Sequence, residues 1–353
     1  MTGWLAAFQQ QYGIVVFRYE KIPQGIWLET NRGTMVLQSL PQAYVQKADF
    51  VNDVYQAMGR SELLLPILPT RENEILTSFG SQYYYLMGWP ATESEWMDYG
   101  CVGSSLARLH LTSVEALQDV RCKFSDYGNW SKVWSVKCEQ LKKYEEIAAR
   151  RIGTEEEDPF DSYFMDNVGY LKQVGALSLT YLDTCNYKQV CRNTMEFGRL
   201  SYINFGYEKF VTTPQGRVFF TDPFSFVEDV RVRDIAQFIK ADVREYGWNP
   251  HNIYSFLSGY HAVSPLTPDE FTLMYALILL PGRLMKKIEY LYYRPSFFQP
   301  ENISIALFKD ETEGITPEGA YLEMKRMEML MKEFPRFANH SFGVHVPHGD
   351  FSS

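Results

Sequence analysis

Residues 201–240 read SYINFGYEKFVTTPQGRVFFTDPFSFVEDVRVRDIAQFIK. An apolar segment leads into a short strand at 210–213, and Pro214-Gln215-Gly216 supplies a turn. A second strand over 217–221 ends on Asp222. Beyond a loop, Arg233-Asp234-Ile235-Ala236 opens an amphipathic helix. The stretch therefore predicts a hairpin with one carboxylate at its mouth and a second at the start of a helix.

Kinase folds use this layout to hold Mg²⁺ against a phosphate, with the base on the loop before the hairpin. The stretch resembles the C-terminal lobe of aminoglycoside-phosphotransferase-like proteins, and most closely their bacterial spore-coat branch (the CotS and YutH type). The resemblance implies a catalytic loop of the form His-x-Asp-x-x-x-x-Asn, whose Asp takes the substrate proton and whose Asn binds metal. Aligned on Phe210-Val211, this chain places Tyr202 at the His position, Asn204 at the base position and Lys209 at the metal-ligand Asn position. An amide cannot accept a proton as a carboxylate does. An ammonium repels a metal cation unless its pKa collapses. An inactive catalytic loop is expected.

The same resemblance puts Asp222 at the metal-binding Asp of the Asp-Phe-Gly motif, with Pro223-Phe224 replacing Phe-Gly. Asp222 is the candidate in this stretch for a metal or for the cation of a bound nucleotide. With its Lys and Asn partners replaced, it is expected instead to cap nearby backbone N–H groups. Asp234, beside Arg233, matches the large-lobe Asp that anchors the catalytic loop by hydrogen bonds, a structural role.

The chain has 353 residues, 46% hydrophobic and 16% aromatic, enough for a packed core in two lobes. Its formal charge of −9 disfavours bulk nucleic-acid or anionic-membrane binding and leaves room for a local basic patch. Five cysteines (Cys101, Cys122, Cys138, Cys185 and Cys191) form no CxxC pair, so free thiols are expected. Residues 1–12 lack a basic n-region and a long apolar core, and apolar runs such as 274–280 are too short to cross a bilayer. Cytoplasmic synthesis without membrane insertion is the expectation.

A helix is expected over 4–11, then strands over 14–19, 25–30 and 34–40, with a hairpin turn at Asn31-Arg32-Gly33. Pro41 opens a helix to about 58, and strands follow over 63–68, 74–79 and 82–87 before Gly88-Trp89-Pro90 at the hinge. This order matches a kinase small lobe, yet Gln38 stands where the phosphate-binding Lys belongs. The stretch 21–25 has one glycine and a proline, so it makes no phosphate cradle. Asp49 and Asp53 on the following helix are expected to be solvated.

Past the hinge, GSSLARLH at 103–110 matches a helix common in this fold, and its His110 is expected to be structural. The other histidines (His251, His261, His340, His345, His348) form no metal spacing; His345 and His348 in the tail VHVPHGD could hold a metal, and a solvated terminus is the expectation. Helices are expected over 131–151, 161–174, 177–197, 253–261 and 268–293, the last kinked at Pro281. A loop-rich 300–316 precedes a helix over 318–334 with Met324, Met327 and Met331 on a core face.

The reading is an α+β, bilobal kinase-like fold, with a β-rich lobe over 1–90 and a helical lobe over 91–353. The resemblance implies a pseudokinase acting as a structural component of the endospore coat, made in the mother cell and carried into the spore envelope. Its expected partners are other coat proteins, with no nucleic acid, and no cofactor is expected. The rival readings are an atypical phosphotransferase or a nucleotide sensor, which would use ATP and Mg²⁺ through Asp222.

Overall fold

The computed structural model describes residues 2–23, 25–59, 61–94, 96–117, 124–293 and 315–347. The expectations for Gln24, Cys122 and His348, and for nearly all of 300–316, lie outside them.

The first half of the fold is an antiparallel sheet. Helix α1 (Thr2–Tyr12) precedes β1 (Val16–Ile22), β2 (Gly25–Thr30) and β3 (Gly33–Leu40). β4 (Ile67–Leu68), β5 (Thr77–Phe79) and β6 (Gln82–Gly88) complete it in the order β1-β2-β3-β6-β4, with β5 pairing with β6. Alternation along β3 and β6 sends side chains to opposite faces. Met35, Leu37 and Leu86 pack with Phe8 and Tyr12 of α1. Val36, Leu40, Tyr85 and Met87 face the other way, toward the rest of the molecule.

The helix expected from Pro41 begins as a 3₁₀ segment over Gln42–Lys47 and becomes α2 (Ala48–Met58). Asp49 and Asp53 are exposed on α2. The strand expected over 63–68 is shortened because its first residues pair elsewhere. Leu65 donates its N–H to the Phe220 carbonyl, and Phe220 donates back to Leu63. That exchange sews the connection before β4 onto the second half of the fold.

The second half is helical. Helices α3 (Tyr99–Ala116), α4 (Trp130–Arg151), α5 (Pro159–Thr184) and α6 (Tyr187–Phe197) lead into β7 (Leu200–Tyr202). The break expected near 175 falls ten residues later. Gly175 does not end a helix; a Cβ there would stand 2.6 Å from the Cys138 sulfur, so it lets α4 and α5 pack closely. The chain turns instead at Asn186, in the left-handed region at φ 51°. Strands β8 (Phe210–Thr212) and β9 (Val218–Phe220) form the expected hairpin, and β10 (Phe226–Glu228) pairs with β7.

Helices α7 (Val232–Tyr246), α8 (Pro250–Val263), α9 (Pro268–Leu279), α10 (Gly282–Tyr292) and α11 (Pro317–Phe342) complete the core. The expected kinked helix over 268–293 is two helices, since Pro281 cannot donate to the helical ladder. Met324, Met327 and Met331 of α11 are buried. Among the described residues no helix is long and apolar enough to cross a membrane.

Helix α3 crosses α8 at close range because both carry glycine at the contact. A Cβ on Gly103 would lie 2.0 Å from the Phe256 carbonyl oxygen. Gly103→Ala is expected to cost about 1–3 kcal/mol or more, measured by urea unfolding. The control is Gly169→Ala in α5, where an added Cβ meets nothing. It is expected to be neutral or to stabilise by up to about 1 kcal/mol.

Candidate functional site

The β8–β9 hairpin turns at Gly216 (φ 75°) with Phe210 opposite Phe220, and so delivers Thr221 and Asp222 at its mouth. Asp222 itself is left-handed, at φ 50° and ψ 60°. That conformation costs a non-glycine residue about 1–2 kcal/mol, and Asp tolerates it better than most. A 3₁₀ turn over Pro223–Ser225 follows, closed by the Ser225 N–H donating to the Asp222 carbonyl.

The Asp222 carboxylate is occupied by side chains. Lys209 donates from its ammonium to Oδ2 at 2.5 Å, and the Ser225 hydroxyl donates to the same oxygen. The Tyr85 hydroxyl reaches Oδ1 at 3.4 Å. The expected cap on backbone N–H groups is therefore not what forms, because these donors take the oxygens first. Burial alone would raise this carboxyl, but the Lys209 charge, the bonds from Lys209 and Ser225, and Lys47 further off hold it below the usual carboxylate range. Burial likewise pulls Lys209 down, but the charges of Asp222 and Glu208 outweigh it and hold the ammonium above its usual value. The lysine pKa does not collapse.

Gln38 lies on β3 opposite Tyr85 of β6 and accepts that residue's hydroxyl proton. Burial, then the negative charge of Asp222, raises the Tyr85 phenol well above its ordinary value, so it remains a neutral donor. Its ring packs on Phe224 at 4.8 Å between centroids. One apolar cluster runs from Val36, Met87 and Trp89 of the sheet to Val211 and Phe224 of the helical half. All five are buried, so the apolar faces of the two halves meet each other.

The loop after β7 is held from behind. Tyr202 is fully buried; its N–H donates to Asp234 Oδ1 at 2.8 Å and its hydroxyl to the Thr221 carbonyl at 2.9 Å. His110 contacts Asp234 Oδ2 at 3.1 Å through Nε2 and the Tyr260 hydroxyl at 2.7 Å through Nδ1. Burial raises the Asp234 carboxyl against the opposing pull of His110. Gln237 and Arg233 both donate to the Ile203 carbonyl. Arg233 also pairs with Asp126 at 2.7 Å and with the buried Asp229 at 2.6 Å. Burial pushes Asp229 up to about 6 even so. Asn204 is half-buried in this loop, and among the described residues its side chain has no hydrogen-bond partner.

The residues singled out by sequence thus form two groups. Gln38, Lys209 and Asp222 meet through Tyr85 at the junction of the halves, while Tyr202, Asp234 and His110 lie behind the loop that carries Asn204. Lys47 belongs to the first group and escaped the sequence reading. It is buried at the end of the 3₁₀ segment, and its ammonium donates to the Phe224 and Phe226 carbonyls. The signal was a lysine at 47 within the buried stripe Tyr44, Val51, Val54, Met58, where a charge needs a partner.

These residues do not fit a magnesium–nucleotide group. Asp222 is already neutralised by an ammonium, and a second metal ligand is missing at position 209. Among the described residues no three His, Cys, Asp or Glu side chains are placed to hold a metal.

The model of the family described as "Spore coat putative kinase YutH" matches residues 6–309. Over 185 residues the chain is 25% identical to spore coat protein S of Bacillus subtilis (strain 168), a match covering 52% of this chain and 51% of that protein. The chain thus spans about half the length of that relative. An aminoglycoside phosphotransferase from Alicyclobacillus acidocaldarius superposes with TM-score 0.70 at 15% identity, covering 96% of this chain and 97% of that one. A spectinomycin phosphotransferase crystallised with ADP and spectinomycin gives TM-score 0.60 at 14% identity, covering 93% and 98%. At these identities the likeness establishes the fold, which is kinase-like and α+β.

The pKa directions set a pH test. Asp222 ionises more readily folded than unfolded, so its contribution is complete above the unfolded value of ~3.9 and is lost as pH falls through the lower folded value. Lys209, raised on folding, contributes until pH climbs through its folded value. The stability lost in Asp222→Asn is therefore expected to be constant across neutral pH and to shrink below about pH 4. Urea melts of both proteins across pH measure it.

Proposed function

This chain belongs to the YutH family of spore-coat kinase-like proteins, and we propose that it is a kinase fold without catalysis, serving as a structural component of the coat. The observation that carries the reading is the Lys209 ammonium against Asp222. Phosphoryl transfer needs metal cations to bridge and neutralise the phosphates. Here the side chain standing in the metal-ligand position brings a fixed positive charge to the carboxylate, within a pair that stays ionised at neutral pH. Asn204 offers no carboxylate to take a proton. Gln38 is committed to Tyr85 and carries no charge for a phosphate.

A scaffold acts through its surface. Strand β1 stands at the end of the strand order and exposes Phe17 and Tyr19, with Val15 exposed just before it, and Phe17 is 67% exposed. An unpaired edge with apolar side chains offers both backbone hydrogen bonds and buried area to a partner. Other coat proteins are the partners this reading implies, and the spore coat is the location.

Thermal melts with ATP, ADP and GTP, with and without Mg²⁺ or Mn²⁺, test the catalytic half of the proposal. No metal-dependent shift is expected for the wild type. Lys209→Asn frees the carboxylate and is expected to gain a metal-dependent rise; a ligand at about 100 times its Kd stabilises by about 2.7 kcal/mol. A metal-dependent nucleotide shift in the wild type would overturn the reading in favour of a phosphotransferase or a sensor.

Spore assembly tests the other half. Phe17→Glu is expected to release the protein from the coat while leaving its melting temperature within about 1–2 °C. Asn204→Ala and Asp222→Ala are expected to leave any folded protein incorporated. Loss of incorporation from Asn204→Ala, with the fold intact by circular dichroism, would count against a scaffold.

A further inference from the structure

Strand β1 ends the sheet, and among the described residues no strand pairs with its outer side. All five of its central residues, Phe17 to Lys21, are exposed. Charges on such a strand ordinarily guard it against indiscriminate pairing. Arg18, Glu20 and Lys21 supply them here, and their order along the strand singles out one partner.

The strand reads Val16-Phe17-Arg18-Tyr19-Glu20-Lys21-Ile22, and its chemistry is symmetric about Tyr19. A second copy laid antiparallel, with Tyr19 opposite Tyr19, sets Arg18 opposite Glu20. A twofold pair repeats every contact, so Glu20 also faces the other Arg18. Phe17 meets Lys21, whose stem and ammonium suit an aromatic face. Val16 meets Ile22, apolar against apolar. Within one strand Arg18 and Glu20 share a face, with the guanidinium 3.4 Å from the carboxylate. Pairing turns them into a ring of four alternating charges. Centring the pair on Arg18 or on Glu20 instead would set like charges opposite each other. The irregular pairing of β1 with β2 falls between Val16 and Arg18, outside the three central positions.

The apolar face supports the same register. Tyr19 lies opposite Leu28, and Leu28 opposite Met35, a row whose last two members pack with Phe8 and Tyr12 of α1. Tyr19 is 48% exposed at the outer end of that row, so a second Tyr19 carries the row into the neighbouring copy.

We propose that β1 pairs antiparallel with β1 of a second copy about a twofold axis at Tyr19, joining two six-stranded sheets into one. The proposal deepens the scaffold reading, resting on β1 as its docking strand, and names another molecule of the same chain as the partner there.

Sedimentation velocity of the purified chain over a range of micromolar concentrations tests it. A concentration-dependent dimer is expected for the wild type. Arg18→Glu puts acid against acid at both contacts and Glu20→Arg puts base against base, so each is expected to raise the dimer Kd by about tenfold or more. Both side chains are exposed, so melting temperatures are expected to stay within about 1–2 °C of wild type. An equimolar mixture of the two single variants restores opposite charges across the pair, as does the double variant, and both are expected to dimerise again. A monomeric wild type, a dimer that neither single variant weakens, or losses that neither rescue restores would overturn the proposal. The scaffold reading keeps a separate readout in the coat. A monomeric wild type whose incorporation still depends on Phe17 would sink the pairing and leave the scaffold standing.

Discussion

Two carbonyl oxygens, those of Phe224 and Phe226, keep the ammonium of Lys47 inside this protein. Burying that charge without partners would cost many times what a typical side chain contributes to stability. The carbonyls provide for it, and the rings of Phe124 and Tyr44 lie within 5.4 and 5.8 Å of the nitrogen. The lysine comes from the sheet-bearing half, whereas its acceptors flank the turn that follows Asp222, 177 and 179 residues later in the chain. The turn that fixes Asp222 in its left-handed conformation is therefore tied across the molecule. Leu65 and Leu63, sewn onto Phe220 just before Asp222, pull the same hairpin toward the sheet from its other side.

Held this way, Asp222 becomes a question of charge balance. A carboxylate in a partly buried junction needs a compensating cation. In kinases a metal ion supplies it and then has charge left over for phosphate. Lys209 supplies a single positive charge from within the chain, at 2.5 Å, and spends it on the carboxylate. Gln38 adds no charge from the sheet side, so the charge of Asp222 is balanced by an ion pair from within the chain.

Much of this was legible in the sequence. The hairpin, the placement of Asp222 at its mouth and the lysine at 209 follow from alternation, a Pro-Gln-Gly turn and a fixed spacing, all local signals. The helix carrying Leu106, Leu109 and His110 was equally plain. The errors share a cause, in that tertiary partners decided the outcome. Residues 63–65 have the apolar character of a strand of the sheet, but Phe220 offered them a different edge. The expected spans 161–174 and 177–197 leave a break at 175–176, and only the proximity of Cys138 reveals Gly175 as a packing residue within one helix. Asp222 was expected to cap backbone because no local pattern announces that Tyr85 and Ser225 will compete for its oxygens. Lys47 left a trace, a charge within an apolar stripe, but its acceptors lie too far along the chain to be inferred.

The contrast between what changed and what stayed has a physical basis. Asp234 is buried with one oxygen on the Tyr202 N–H and the other facing His110, whose second nitrogen meets Tyr260. Removing any member strands a polar group in the core, with a cost of about 1–3 kcal/mol that falls on folding itself. Tyr202 shows how such a network absorbs substitution. Where the resemblance implies a histidine, a tyrosine fills the space and sends its hydroxyl to the Thr221 carbonyl. Asn204 is under no such constraint, since it is half-buried and its side chain has no hydrogen-bond partner among the described residues. Gln38 and Lys209 are held by Tyr85 and Asp222, so a change at either is felt by the junction as well. The contacts around Asp234 are thus ones that folding itself requires, whatever chemistry the loop carrying Asn204 performs.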